Sequence, residues 1–398
     1  MDHLGVETAL VWQRSGGSYD RAGNVWYLSN YACLASGQES SAGANAVGAT
    51  AVNSVGSAFA AVLLRKGHEP ELHVSEPVHT VDRRYVVIED IHAHEENLPA
   101  GIAARLNELG IEGKVAYLGD DMLPAQMYRI VTEGTPAIEW VIDEYLLFDS
   151  QLIKSEREIE AYREAGRISG EALTVFMEAL IRGERQCDAA AAAAAVIIRN
   201  GGGFQRVSCH TGPESEYAMW DYPLYGYSKT APKPGEMVRA WVYGPIFEGY
   251  WIDPGRSSVC GLNPSAPQRT LVENTVELIE AITAEVRPGV TPRQAGIVGD
   301  ETASRLGYGE DMGGAIWDLY GHGLSTYFHG PIIPSHGAKD FVDDKGWWNV
   351  DRPFGENEVF TVEAFVREEG VGMASFEEIF LIGPDGAERL TDTPMLFW

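Results

Sequence analysis

Short apolar runs separated by turn residues fill the first 150 positions: ETALVW (7–12), NVWYLSNY (24–31), AAVLL (60–64), YVVIED (85–90) and KVAYLGD (114–120). Runs of this length between Gly, Asn, Asp and Ser are strand signals. Among them lies LPAGIAARLNELG (98–110), with apolar residues at helical spacing. Strands alternating with helical stretches predict a small α/β domain over residues 1–150. The pattern changes after EWVIDEYLLFDSQLIKS (139–155). From Ser155 a long amphipathic helix is expected, opened by Ser155 and Glu158 as a capping box. A second helix follows in CDAAAAAAAVIIRNGG (187–202), closed by glycines.

Residues 204–260 then read as strands, in FQRVSCHTG and MVRAWVYGPIFEGYWIDPGRSSVCG. Two more helices, QRTLVENTVELIEAITAEV and PRQAGIVGDETASRLG, are joined by RPGVT. Strand-and-loop character returns to the end of the chain. Residues 151–398 therefore form a second, α+β domain, with the boundary near 148–155.

Composition narrows the partners. The chain carries 58 acidic and 30 basic residues, a net charge of −28. Such a surface repels phosphate backbones and anionic lipid, so neither nucleic acid nor membrane is expected as a partner. No apolar run is long enough for a spanning helix, and the first residues lack the basic and apolar regions of a signal peptide. Cys33, Cys187, Cys209 and Cys260 match no metal or redox spacing. They read as reduced thiols of a cytoplasmic protein.

The candidate chemistry lies in the second domain. GHGLSTYFHGP places His322 and His329 on a glycine-flanked loop, VFTVEAFV holds Glu363, FEEIFLIG holds Glu377, and WIDPGRS holds Asp253. A carboxylate inside an apolar strand is costly to bury unless it is paired or ligates a metal. These acids either join a histidine as an N/O site for a divalent ion or make ordinary salt bridges at strand ends.

Taken in order, QLIKSEREIEAYREAGRI, RPGVT before a helix, GHGLSTYFHGP, ENEVFTVEAF and FEEIFLIGPDGAERLT resemble the pita-bread metallopeptidase family. That family includes methionine aminopeptidase, aminopeptidase P, prolidase and creatinase. The resemblance implies a pita-bread catalytic domain over 151–398 and a creatinase-type domain over 1–150. It implies that Asp253, His322, Glu363 and Glu377 are metal ligands and that Glu363, Glu377 and His329 are catalytic. It also implies a homodimer.

Two positions depart from the family pattern. Val242 stands where the first aspartate of the dimetal members is expected, so one divalent metal (Fe, Mn, Co or Zn) is expected and a second is not. Met219 or Trp220 occupies the region of the family's proton-shuttling histidine, which argues against ordinary aminopeptidase or creatinase chemistry. Aromatic residues crowd the same stretches. Trp220, Tyr250 and Trp251, with His210 and the guanidinium of Arg256, are candidate contacts for a small zwitterion. The expected activity is hydrolysis of a C–N bond (amide, amidine or Xaa-Pro-like) in a small molecule. The alternatives are a metal-dependent lyase of the dimethylsulfoniopropionate-lyase type and a binding protein on the same scaffold.

Overall fold

The computed structural model describes residues 1–14, 23–32, 55–56, 59–119, 123–203, 206–216, 226–308, 319–335 and 346–398. The chain forms two compact units, Met1–Asp149 and Ser150–Trp398. No helix among the described residues is long and apolar enough to cross a membrane.

The first unit is built on β1 (Thr8–Arg14), β2 (Phe59–Arg65), β3 (Glu71–Val74), β4 (Asp90–Ala93), β5 (Gly113–Leu118) and β6 (Ile138–Ile142). They form one mixed sheet in the order β4-β3-β2-β1-β5-β6. The helices are α1 (Asn24–Ser29), α2 (Leu98–Glu108) and α3 (Ala125–Gly134). Leu98, Ile102 and Leu106 of α2 and Met127 and Val131 of α3 pack on Leu10, Trp12 and Phe59.

Two segments of this unit differ from the strand pattern. NVWYLS is helical because both ends are fixed from nearby. The Trp26 N–H donates to Gln13 Oε1 of β1 at 2.6 Å. Asn30, in the left-handed region at φ 57°, closes the helix by donating to the Trp26 carbonyl. In YVVIED only Asp90 belongs to a strand. The Val87 N–H instead donates to the Ser29 carbonyl, and Tyr85 and Val87 face solvent.

The second unit opens with α4 (Glu156–Ile181), whose Ser155–Glu158 capping box is formed, and α5 (Gln186–Arg199). Its antiparallel sheet runs β12-β11-β13-β14-β10-β8-β7, with β9 paired to β8 and β15 to β14. The strands are β7 (Arg206–Thr211), β8 (Met237–Phe247), β9 (Tyr250–Ile252), β10 (Gly255–Val259), β11 (Leu319–Leu324), β12 (Phe328–Pro334), β13 (Val359–Glu368), β14 (Gly372–Gly383) and β15 (Gly386–Arg389). Helices α6 (Ala266–Thr283) and α7 (Pro292–Arg305) lie between β10 and β11 in sequence.

Residues alternate across the two faces of this sheet. In β13, Phe360, Val362, Ala364 and Val366 join the core that contains Leu271, Val272 and Ile279 of α6. Val359 and Phe365 join the core that contains Ile168 and Phe176 of α4. Glu363 has the parity of the second set, so the strand turns its one internal carboxylate to that side.

Candidate metal centre

Register brings the acids together. Glu363 of β13 pairs directly with Glu377 of β14, and Glu377 pairs in turn with Gly255 of β10. Asp253 lies just before β10, two residues from Gly255. On the other side of β13, Gly323 of β11 pairs with Phe360, next to His322. The approach of β11 is close: a Cβ on Gly321 would lie 2.1 Å from the Thr361 carbonyl oxygen, and Gly321 has φ 147°. Only glycine fits there, which explains the first glycine of GHG.

The four side chains meet in a buried space. His322 Nε2 lies 3.4 Å from Asp253 Oδ2, 3.6 Å from Glu377 Oε1 and 3.8 Å from Glu363 Oε1. Ligand atoms of Asp253, His322 and Glu377 all fall within 4.8 Å of one another. His322 Nδ1 lies 2.9 Å from the carbonyl oxygen of Gly323. A carbonyl only accepts, so Nδ1 carries a proton, and Nε2 is the ring nitrogen turned toward the three carboxylates.

That arrangement fits a divalent cation. Lone pairs and carboxylate oxygens facing one another repel unless something positive lies among them. Burial, and then the charge of Asp253, push the Glu363 carboxyl well above its ordinary range. Burial, Asp253 and Glu363 do the same to Glu377. Oδ1 of Asp253 and Oε1 of Glu377 are buried without a hydrogen bond. Three carboxylates and one imidazole are the donors of a first-row metal site, and the carbonyl bond at Nδ1 is the outer contact that fixes a ligating histidine.

Thr361 was not singled out from the sequence, yet it belongs to the site. Its Oγ1 accepts from the His322 backbone N–H at 3.2 Å. Its hydroxyl also hydrogen-bonds Glu377 and draws that carboxyl's pKa down. The signal was available: in VFTVEAF, Thr361 is two residues from Glu363 and shares its face. Tyr162 of α4 was missed as well. Its hydroxyl donates to the Ser325 carbonyl at 2.8 Å, and its ring lies 5.1 Å from that of Tyr250.

The remaining candidates are placed as follows. His329 is fully buried on β12, opposite Gly323, with Nδ1 2.6 Å from the Gly330 carbonyl oxygen. Trp251 is buried and its backbone N–H donates to the Ser325 carbonyl. His210 is buried on β7 opposite Arg239. Trp220 lies outside the described residues. Val242 is buried among apolar side chains and supplies no donor.

Arg256 does not serve as a substrate contact. Its guanidinium donates to the carbonyls of Pro394, Gly255, Glu377 and Thr393 and to the Glu378 carboxylate. All five N–H groups are thereby occupied. Glu378 faces away from Glu377, as adjacent strand residues must, and is held further by Arg389 and Thr391. Arg256 is a strut behind the site.

An indole closes one side. Trp241 of β8 pairs with Gly255, and a Cβ on Gly255 would lie 2.1 Å from Trp241 Nε1. The indole therefore lies over the glycine, in the row that contains Glu377. It stacks on Phe365 with centroids 5.7 Å apart and planes at 5°.

Residues 160–384 match the model of metallopeptidase family M24. The Xaa-Pro dipeptidase of Pyrococcus horikoshii is 22% identical over 302 residues, 75% of this chain and 80% of that protein. The Xaa-Pro dipeptidase of Pyrococcus furiosus is 24% identical over 286 residues, 72% of this chain and 74% of that protein. The crystal structure of the prolidase from Pyrococcus horikoshii OT3 has a TM-score of 0.76 at 19% identity, over 99% of this chain and 96% of that one.

Proposed function

The chain belongs to metallopeptidase family M24, is a hydrolase of that family and has its pita-bread fold, and from that premise we propose that it cleaves a C–N bond in a compact, peptide-like zwitterion, an Xaa-Pro-type amide foremost. A single divalent transition metal would be held by Asp253, His322, Glu363 and Glu377. The observation that carries this reading is the convergence of three buried carboxylates on one imidazole nitrogen. The substrate class is supported by the similar Pyrococcus proteins, both Xaa-Pro dipeptidases. One ion is proposed, not two, because Val242 stands where the second would need a carboxylate. Fe(II), Mn(II), Co(II) and Zn(II) suit the donor set.

A divalent ion bound there would polarise the scissile carbonyl and acidify water. The protein's own groups do the rest. Glu363 accepts the proton of the attacking water, with Glu377 as the other candidate. The base must hold that proton and return it to the leaving amine. His329 orients the substrate or its developing oxyanion through Nε2. Trp241, Tyr250 and Trp251 flank the cationic end, where each aromatic face contributes about 0.5–2 kcal/mol. His210 and Trp220 are further proposed contacts. A homodimer is proposed on family resemblance. A reducing cytoplasm is proposed from the free thiols of Cys187 and Cys260.

The test is elemental analysis of freshly purified protein beside His322→Ala, followed by assay on Xaa-Pro dipeptides. One equivalent of metal, absent from the variant, with water-consuming cleavage, is the expected result. Release of an alkene would replace hydrolysis by elimination. No metal, even after addition, would overturn the reading.

A further inference from the structure

The amino-terminal unit contains a second convergence of ligating atoms. Strands β3 and β4 are parallel, and their register pairs Glu71 with Asp90 and His73 with His92. Residues two apart on a strand share a face, so all four side chains project to one side. Leu72 and Val74 point the other way, into an apolar core. His92 Nε2 lies 3.0 Å from Asp90 Oδ1 and 3.4 Å from Glu71 Oε2. His73 Nε2 lies 3.7 Å from the same Glu71 oxygen. Ligand atoms of Glu71, Asp90 and His92 are all within 4.8 Å of one another.

A second observation points to a ligand. His73 is completely buried, and its Nδ1 is engaged by His94 Nε2 at 3.0 Å. Its Nε2, turned toward Glu71, makes no hydrogen bond, and neither does His92 Nε2. A buried nitrogen without a partner is costly. A cation accepting its lone pair would satisfy it.

The surroundings select among cations. Arg65 Nη2 donates to Glu71 Oε1 at 2.8 Å, and Arg105 Nε to Oε2 at 2.9 Å. These bonds fix the carboxylate in the manner of an outer shell. Their charge also weakens any cation held by charge alone. Imidazole nitrogen favours zinc, copper or cobalt over magnesium or calcium.

We propose that Glu71, Asp90 and His92, with His73 as fourth ligand, form a Zn(II)-class site that clips β4, the edge strand of its sheet, to β3. Asp90 and His92 reach solvent, 52% and 26% exposed, so the ion has an entry path.

The experiment titrates the full-length chain carrying His322→Ala with Zn(II) and with Co(II), reading stoichiometry, visible ligand-field bands and melting temperature. One equivalent should bind and raise the melting temperature. His92→Gln, added to that background, should abolish both. Asp90→Asn, at an exposed position that the fold tolerates, should weaken binding at least tenfold and serves if the His92 variant fails to fold. Binding of no ion, or of one that survives both substitutions, overturns the proposal.

Discussion

Removing the metal should make Glu363 a destabilising residue. An unfolded glutamate has a pKa of about 4.3, so at pH 8 it is ionised. In the folded, metal-free site Glu363 and Glu377 hold their protons above that range, through burial and the charge of Asp253. Folding therefore takes up protons. Stability contributed by these groups is greatest below the ordinary carboxyl range and falls as pH rises through the elevated values. Each unit of elevation is worth about 1.4 kcal/mol, and each kcal/mol moves the melting temperature by roughly 2–4 °C in domains of about 150–250 residues. Glu363→Gln keeps the shape and removes one of the three acids. Stripped with a chelator, the variant should melt several degrees above the stripped parent at pH 8, and the gap should close toward pH 5. Metal reverses the order. Binding at a thousandfold excess over Kd adds about 4 kcal/mol to the parent, and the variant has lost a ligand. Scanning calorimetry between pH 5 and pH 9, with and without Mn(II), reads all four states. The acidic surface contributes almost equally to both proteins and cancels in the difference. Coincident melting of the two stripped proteins at every pH would refute the reasoning.

Three further substitutions separate supporting residues from reacting ones. Arg256→Ala leaves Glu378 buried with less than its full complement of cations and should cost roughly 3–5 kcal/mol in urea unfolding; a raised KM at unchanged stability would contradict its role as a strut. Thr361→Val removes the acceptor of the His322 N–H, at a cost of roughly 1–3 kcal/mol. It also deletes the bond that lowers the Glu377 pKa, so metal uptake followed against pH should move to higher pH. Gly255→Ala forces a Cβ to 2.1 Å from Trp241 Nε1. Overpacking of this kind costs roughly 1–3 kcal/mol; KM should rise as the indole is displaced, and a Trp241→Leu companion change should recover the stability.

Much of the site was legible because a carboxylate in an apolar strand is conspicuous. Glu363 and Glu377 stand out in VFTVEAF and FEEIF, and alternation assigned Glu377 and Glu378 to opposite faces. Arg256 was harder. Three residues from Asp253, it reads equally as a substrate clamp or as the partner of a structural acid. Only the third dimension supplies the carbonyls of Pro394 and Thr393 that occupy it. NVWYLS misled for a related reason: its apolar density suits a strand, and the bond from Gln13 that anchors it as a helix comes from another element. The Glu71–Asp90 and His73–His92 pairs were invisible in sequence, because parallel strands joined through a long connection leave no spacing rule to find.

Sheet register also accounts for the mixture of donors and aromatics at the centre. Glu363, Glu377, Gly255 and Trp241 are successive partners across four adjacent strands, so their side chains stand in one row on one face. Carboxylates fill one half of that row. The missing side chain of Gly255 opens the other half, and the indole lies across it. The indole offers no oxygen to coordinate, which disfavours a second hard metal ion there, and its ring already carries the Arg239 guanidinium 5.5 Å from its centroid. Val242, embedded in the apolar core beside this row, is consistent with that division. On the proposed reading, one half of the row would hold the metal and the other would border the charged end of a substrate.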